Sequence, residues 1–403
     1  MTADVRRIFV AQALRAFAYG FGAILLGVSL EAKGWSSGRV GLLLTAIVAG
    51  TALMSIAVGT LGDRVGRRRF YAFLFLVLAV AGIVFAVTEE FWVLVLVALC
   101  GALSTDVVES GPFTSLEQAM LAGGTDDQTR TGVFGNYNAI ATVAGSVGAL
   151  AAGGPALLRE TIGGFPADQR FFLVFVPAGV LGALVSSRLS QRVELEKRPG
   201  LGLPLHRSRA NVFRLAGLFA IDSFAGGLVV QSFIAYWFRV KFGVSVEVLG
   251  LVFFAVGLLQ AGSFLIATRL AERIGLLNTM VFTHLPSNIL LAAIPLAPAF
   301  PVAMLLLFGR FALSQMDVPT RQAYIAALVD EDERTAAAAY TNTARYLTRP
   351  LGPALAGIAQ QVALGIPFFI GGGVKAAYDI AIWSWFRRVP IGTKEPQLQE
   401  AKR

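Results

Sequence analysis

Apolar residues along this chain fall into blocks of about 20, the length a helix needs to cross the hydrocarbon core of a bilayer. Short polar clusters separate the blocks, and no block alternates with the period of two that a strand requires. The pattern predicts about twelve transmembrane helices, at residues 9–30, 40–61, 70–87, 91–113, 131–153, 171–185, 212–238, 248–268, 276–296, 302–328, 336–360 and 363–386. A transmembrane barrel would show segments of about ten alternating residues instead. The longest polar connection holds Arg188, Arg192, Lys197, Arg198, Arg207 and Arg209 together with Pro199 and Pro204. It reads as a linker, residues 188–210, between an N-terminal bundle at 1–187 and a C-terminal bundle at 211–387, followed by a tail at 388–403.

The two bundles resemble each other. Gln118-Ala119, Arg130-Thr131, Asn138, Gly148 and Gly153 recur at a constant offset as Gln322-Ala323, Arg334-Thr335, Asn342, Gly352 and Gly357. Earlier in each half, Gly41-Leu42, Leu61, Arg64 and Gly66 match Gly250-Leu251, Leu270, Arg273 and Gly275. A duplicated six-helix unit predicts an all-α integral membrane fold of two pseudo-symmetric bundles with a central site.

Composition agrees. Hydrophobic residues make up 56% and charged residues 15%, and mean hydropathy is +0.67; soluble domains carry about 25% charged residues. The net charge of +9 matters for topology. With the N-terminus inside, about 22 of the 34 Lys and Arg residues fall on the cytoplasmic side and about 6 in outer loops, which places both termini inside. The N-terminus lacks the pattern of a cleaved signal, so the first apolar block is expected to be a retained span. One cysteine and two histidines support neither a disulfide framework nor a zinc cage. No phosphate loop, nucleophile elbow or metal motif occurs, so no cofactor, no metal and no enzymatic activity is expected.

Between the second and third blocks the chain reads Gly59-Thr-Leu-Gly-Asp63-Arg64-Val-Gly66-Arg67-Arg68-Arg69. This resembles the cytoplasmic signature of the major facilitator superfamily at every fixed position. The resemblance implies a cytoplasmic gate formed by Gly59, Asp63, Arg64, Gly66, Arg67 and Arg68. From the residues themselves, the glycines permit a tight turn, Asp63 could cap the third helix, and the arginines sit at lipid headgroups. The second copy departs from the pattern, with Glu272, Arg273 and Gly275 but no basic tail. Glu117 and Arg321 are expected beside this gate. A glycine-proline motif typical of antiporters is only loosely suggested by Gly145, Gly148 and Gly153-Gly154-Pro155.

A charge at mid-membrane costs at least about 2.5 kcal/mol, so each needs a partner, water or a function. Asp106, Ser110, Phe113 and Glu117 fall on one helical stripe of the fourth span; Arg310, Ser314, Asp317 and Arg321 repeat it in the tenth. The repeat aligns Asp106 with Arg310 and Glu117 with Arg321, opposite charges at related positions. In the superfamily, spans one, four, seven and ten line the cavity, so the resemblance implies that these stripes face each other. Arg345 and Arg349 share a face with Asn342, whose counterpart is Asn138. Guanidinium groups suit carboxylates and phosphates. Arg15, Asp106, Asn138, Arg310, Asn342, Arg345 and Arg349 are therefore the expected substrate contacts, and Asp106, Glu109, Asp222 and Asp317 the expected proton carriers. Lys375 and Asp379, one turn apart, are expected to pair structurally, and His284 to be structural. Pro319, Pro350 and Pro353 should bend their spans.

The expected function is secondary active transport of a small anionic or zwitterionic solute by alternating access, coupled to protons, by a monomer in the bacterial inner membrane. A proton-driven multidrug efflux pump is the alternative, and a non-transporting receptor or lipid scramblase on the same fold a second one. No nucleic-acid partner is expected.

Overall fold

A computed structural model describes residues 2–104, 111–123, 127–162, 168–194, 205, 207–329 and 333–389. The first half contains helices α1 (Ala3–Ala32), α2 (Ser37–Val65), α3 (Arg67–Val87), α4 (Phe91–Ala98), α5 (Pro112–Gly123), α6 (Asp127–Ala151), α7 (Gly154–Thr161) and α8 (Phe175–Ser187). The second contains α9 (Arg209–Gly227), α10 (Gln231–Phe242), α11 (Val246–Ile274), α12 (Leu276–Ala293), α13 (Phe300–Ser314), α14 (Asp317–Leu328), α15 (Arg334–Thr348), α16 (Leu351–Val362) and α17 (Ile366–Phe386). Among the described residues, nine stretches are long and apolar enough to cross a bilayer. The remaining expected spans are the pairs α4–α5 and α15–α16, each interrupted, and α17, which carries Lys375 and Asp379.

Four predicted spans are broken rather than continuous. Pro112 opens α5, where its missing N–H costs nothing, and Gly101 and Gly111 take positive φ in the gap after α4. Helix α4 ends at Ala98; of the stripe drawn through Asp106, Ser110, Phe113 and Glu117, Asp106 and Ser110, like Glu109, lie outside the described residues. The tenth span breaks between α13 and α14, just before Pro319, and the eleventh at Arg349-Pro350. Proline lacks the N–H that would close the preceding helical turn, which is why both interruptions sit there. The seventh span breaks at Leu228–Val230.

The repeat seen in the sequence is present in three dimensions. Helix α1 packs on α6 as α9 packs on α15, and α3 on α8 as α12 on α17. Small residues permit these crossings: a Cβ on Gly20 would strike the Gly145 backbone, one on Gly148 the Phe17 backbone, and one on Gly227 the backbone of Arg349 and Gly352. Gly145 and Gly148 are thereby helix-packing residues. Gly66 and Gly275, matched in the repeat, both close a long helix with positive φ, 97° and 86°, a region closed to other residues at little cost.

Contacts between the halves lie toward the end remote from the linker. Gly41 of α2 meets Gly357 of α16, Gly250 of α11 meets Ala149 of α6, and Gly27 of α1 meets Ser232 and Ala235 of α10. Glu31 and Arg239 form an ion pair across the same seam at 3.2 Å. The halves are therefore joined at this far end.

Candidate functional site

A break inside a membrane exposes carbonyls that water cannot reach, so side chains must satisfy them. In the first half, Tyr19 donates to the Ala102 carbonyl at 2.6 Å and Thr51 to the Leu103 carbonyl at 3.0 Å. In the second, Ser263 donates to the Ala312 carbonyl at 2.5 Å; Thr348 and Ser223 instead tie α15 to α9 through the in-helix carbonyls of Ala220 at 2.8 Å and Arg345 at 2.9 Å. The interruptions are therefore built features, which fix α13–α14 and α15–α16 around a central space.

Arg15 is not on that space. Its side chain and that of Glu117 are both 0% exposed and form an ion pair at 2.7 Å, with a second contact from Arg15 Nε at 3.2 Å. Tyr71 and Tyr137 each donate to Glu117 at 2.6 Å, and the Arg15 guanidinium lies 5.4 Å from the Phe113 ring centre. Arg15, expected at the substrate, and Glu117, expected at the gate, form one buried pair that ties α1 to α5. Helical spacing gave their faces but not that α1 and α5 adjoin.

In the second half the charge order is reversed. Asp222 of α9 accepts from Lys375 of α17 at 2.5 Å and lies 3.9 Å from Arg321 of α14. Arg321 also donates to Asp317 at 2.9 Å. The pair Arg15–Glu117 thus has a pseudo-symmetric, sign-inverted counterpart in Asp222–Arg321, so Glu117 and Arg321 do not face each other across the cavity. Each is neutralised inside its own bundle. The expected pair of Lys375 with Asp379 is also replaced. Asp379 accepts from Asn288 at 2.8 Å, and its other oxygen lies 2.8 Å from His284 Nδ1. The polar one-turn spacings His284–Asn288 and Lys375–Asp379 in apolar spans were the signal for these four residues.

A cavity of about 170 Å3 lies beside this network, comparable to the ~150 Å3 of an engineered cavity that binds benzene. Its far-end wall includes Ser146, Phe253, Val256 and Gly257; Arg310, Ser314, Asp317, Arg321, Arg345 and Arg349 continue it. Five cationic side chains, counting Lys375, and two carboxylates are among the described lining residues. Arg310 is only 8% exposed, and its Nε and Nη1 have no hydrogen-bond partner among the described residues; its guanidinium stacks 4.5 Å from the Phe311 ring centre. Asn342 is exposed and Asn138 half-buried, and neither lines this cavity. The structure thus brings together Arg310, Arg345, Arg349, Asp222, Asp317 and Arg321, and leaves Arg15, Asn138 and Asn342 apart.

At the linker end, the side chains of Gly59's neighbours Asp63 and Arg64 lie outside the described ones. The first amides of α3 are held by another residue: Arg67 N and Arg68 N donate to Glu194 at 2.7 and 3.2 Å. Arg68 reaches the Leu189 carbonyl at 3.0 Å, so the basic loop is stitched to the start of the linker. Glu272 and Arg273 are exposed. Glu194→Ala should lower the melting temperature by an amount corresponding to about 1 kcal/mol, the usual value of a helix cap; an unchanged thermal melt would show that the cap is dispensable.

The sequence matches the Major Facilitator Superfamily model over residues 8–353 and 215–403. It is 24% identical to the "Uncharacterized membrane protein YJR124C" of Saccharomyces cerevisiae, over 97% of this chain and 96% of that one. The fold is similar to that of a bacterial homolog of the human lysosomal transporter Spinster, in an inward-facing and occupied conformation (TM-score 0.71, 16% identity, 96% of each chain). It is likewise similar to a D-xylose-proton symporter (TM-score 0.70, 14% identity, 96% of this chain and 99% of that one). With the family match spanning most of the chain and two related bundles enclosing a central cavity, the chain belongs to the major facilitator superfamily: it is a multi-pass membrane transporter of the twelve-helix fold, not an enzyme.

Proposed function

We propose that this transporter carries a small anionic or zwitterionic organic solute, coupled to protons, through the cavity bounded by Arg310, Arg345 and Arg349. The observation that carries this reading is Arg310: a buried guanidinium with two nitrogens unpartnered among the described residues, in a wall whose described charges are predominantly positive. An unpaired buried donor is costly, and a carboxylate or phosphate arriving in the cavity satisfies it by a forked contact. Proton coupling draws support from carboxylates on the same wall, Asp222 and Asp317, and from likeness to a protein named as a proton symporter.

The direction of the charge bias supports a topology with both termini and the linker in the cytoplasm, in a plasma membrane such as a bacterial inner membrane. In that orientation the far-end seam is the outer closure, and the described state is inward-facing. The basic loop Gly59–Arg69 serves as the inner gate, engaging when the halves close at the linker end. One chain holds the whole cavity, so a monomer suffices. The wall's charge disfavours a multidrug pump, whose solutes are amphipathic, and alternating access through a central cavity is favoured over a receptor or scramblase role.

The test is thermal stabilisation of the purified protein by succinate, citrate, inorganic phosphate and glycine betaine, with D-xylose and uridine as neutral probes. A ligand at a hundred times its Kd adds about 2.7 kcal/mol of stability, readable as a rise of several degrees. Charged probes should raise the melting temperature of the wild type, and Arg310→Gln and Arg349→Ala should each erase that rise. Stabilisation by the neutral probes alone, or a rise that survives both substitutions, would overturn the assignment.

A further inference from the structure

We propose that His284 is the proton-binding group of the second half, with Asp379 as its positioning residue and Asp222 as the link to the cavity. This rests on the anion-transport reading only for what the proton is coupled to.

The geometry fixes which ring nitrogen is available. Asn288 Nδ2 donates to Asp379 Oδ2 at 2.8 Å, and His284 Nδ1 lies 2.8 Å from Asp379 Oδ1. An ionised carboxylate only accepts, so Nδ1 carries a proton and donates it to Asp379. The Asn288 nitrogen 3.1 Å from Nδ1 is then a second donor and makes no bond there. Nε2 is left as the open, basic nitrogen. It faces Asp222 Oδ1 at 3.9 Å, too long for a hydrogen bond, and His284 is itself on the cavity wall. A histidine held by a carboxylate at one nitrogen and presenting the other is the arrangement that makes imidazole a proton exchanger.

The surrounding charges define the coupling. From α17, Asp379 and Lys375 face the ring, and Tyr378 packs edge-on with its centre 6.1 Å away. Asp222 comes from α9; Asp317 and Arg321 come from α14, and Arg310 of α13 shares the cavity wall. On α11, Arg269, Glu272 and Arg273 are exposed at the linker end. The Asp222 Oδ1 atom that Nε2 faces is the one Lys375 holds at 2.5 Å. A proton taken from cavity water onto Nε2 makes imidazolium and Lys375 compete for that oxygen. Lys375, also on the wall, is then loosened toward the cavity, where it adds attraction for an anion. Proton and anion therefore favour each other's binding, which is the thermodynamic requirement for coupled movement. Release of the proton back to water restores the Lys375–Asp222 contact.

The chain contains two histidines, so a His206→Gln background leaves one ring for 15N NMR of the purified, labelled protein. The expected spectrum shows Nδ1 protonated and Nε2 bare at alkaline pH, with the Nε2 resonance moving between about pH 5 and 8, the range in which imidazole exchanges its proton. Asp379→Asn should shift the tautomer toward Nε2-protonated, which a merely structural residue would not do. Asp222→Asn should displace the pH midpoint. An Nε2 signal that is flat across that range, or a midpoint indifferent to Asp222→Asn, would overturn the proposal. The measurement needs no solute: failure of anion stabilisation with a titrating His284 sinks the solute class alone, whereas a silent His284 with intact anion stabilisation sinks the proton site alone.

Discussion

Glu117→Ala should cost this protein about 3–5 kcal/mol, the price of leaving one partner of a buried ion pair uncompensated. The substitution strands the Arg15 guanidinium at 0% exposure and removes the acceptor of both the Tyr71 and Tyr137 hydroxyls. A fall in melting temperature on the order of 10 °C is expected, with loss of monodispersity in detergent. Arg15→Leu alone should be damaging for the mirror-image reason, since it leaves a buried carboxylate held only by tyrosines. The double variant Arg15→Leu with Glu117→Gln removes both charges and keeps an acceptor for the tyrosines. It should melt above either single variant, with a coupling of up to about 3 kcal/mol. Additive losses would show that the two residues do not act as a pair. An Arg15→Leu protein that melts normally but no longer responds to charged probes would restore Arg15 to the substrate site.

Gly41→Val should convert the described state into one parted at the far end. A Cβ on Gly41 would lie 2.7 Å from both the Gly357 Cα and the Pro353 carbonyl oxygen, closer than real atoms approach. Because Gly41 and Gly357 belong to different halves, separation of the halves at this end relieves the overlap without unfolding either bundle. Overpacking costs typically about 1–3 kcal/mol, and every 1.4 kcal/mol is a tenfold change in the ratio of two states. The effect is measurable by electron spin resonance distances between labels at Glu90→Cys and Lys241→Cys, both exposed at the far end of opposite halves, after Cys100→Ser removes the native thiol. The distance distribution should lengthen in the Gly41→Val protein. An unchanged distribution would mean that the seam does not hold the two halves closed. Gly148→Val offers the contrast: its clash is with Phe17 inside the first bundle, so it should lower stability without favouring either state.

Much of the fold was legible because a bilayer leaves few choices. The twelve blocks were readable from length and apolarity, and the repeat from matched glycines whose roles the structure explains, as at Gly66 and Gly275. The cavity arginines were legible too: Arg310, Arg345 and Arg349 stand on one wall with Asp222, Asp317 and Arg321. The pairing of Arg15 with Glu117 was not legible, because an intramembrane charge announces only that it needs compensation. Whether a solute, a proton or a neighbouring helix provides it depends on which helix adjoins. The break in the fourth span was missed for a local reason. An apolar run containing Gly101, Gly111 and Pro112 was read as one helix, although two of those residues adopt positive φ and the third can only begin a helix.

Hydropathy and the duplicated pattern, read along one dimension, determined the membrane architecture, since lipid admits backbone polar groups only when they are satisfied within the protein, chiefly inside each helix. The tertiary structure decided how the charges are shared. It placed Arg15 with Glu117 and Asp222 with Lys375 and Arg321, left two Arg310 nitrogens unpartnered among the described residues, and set His284 between two carboxylates. The reason is geometric: ionic and hydrogen-bond partners are chosen within about 4 Å, and residues that distant in sequence are brought to that range only by helix packing.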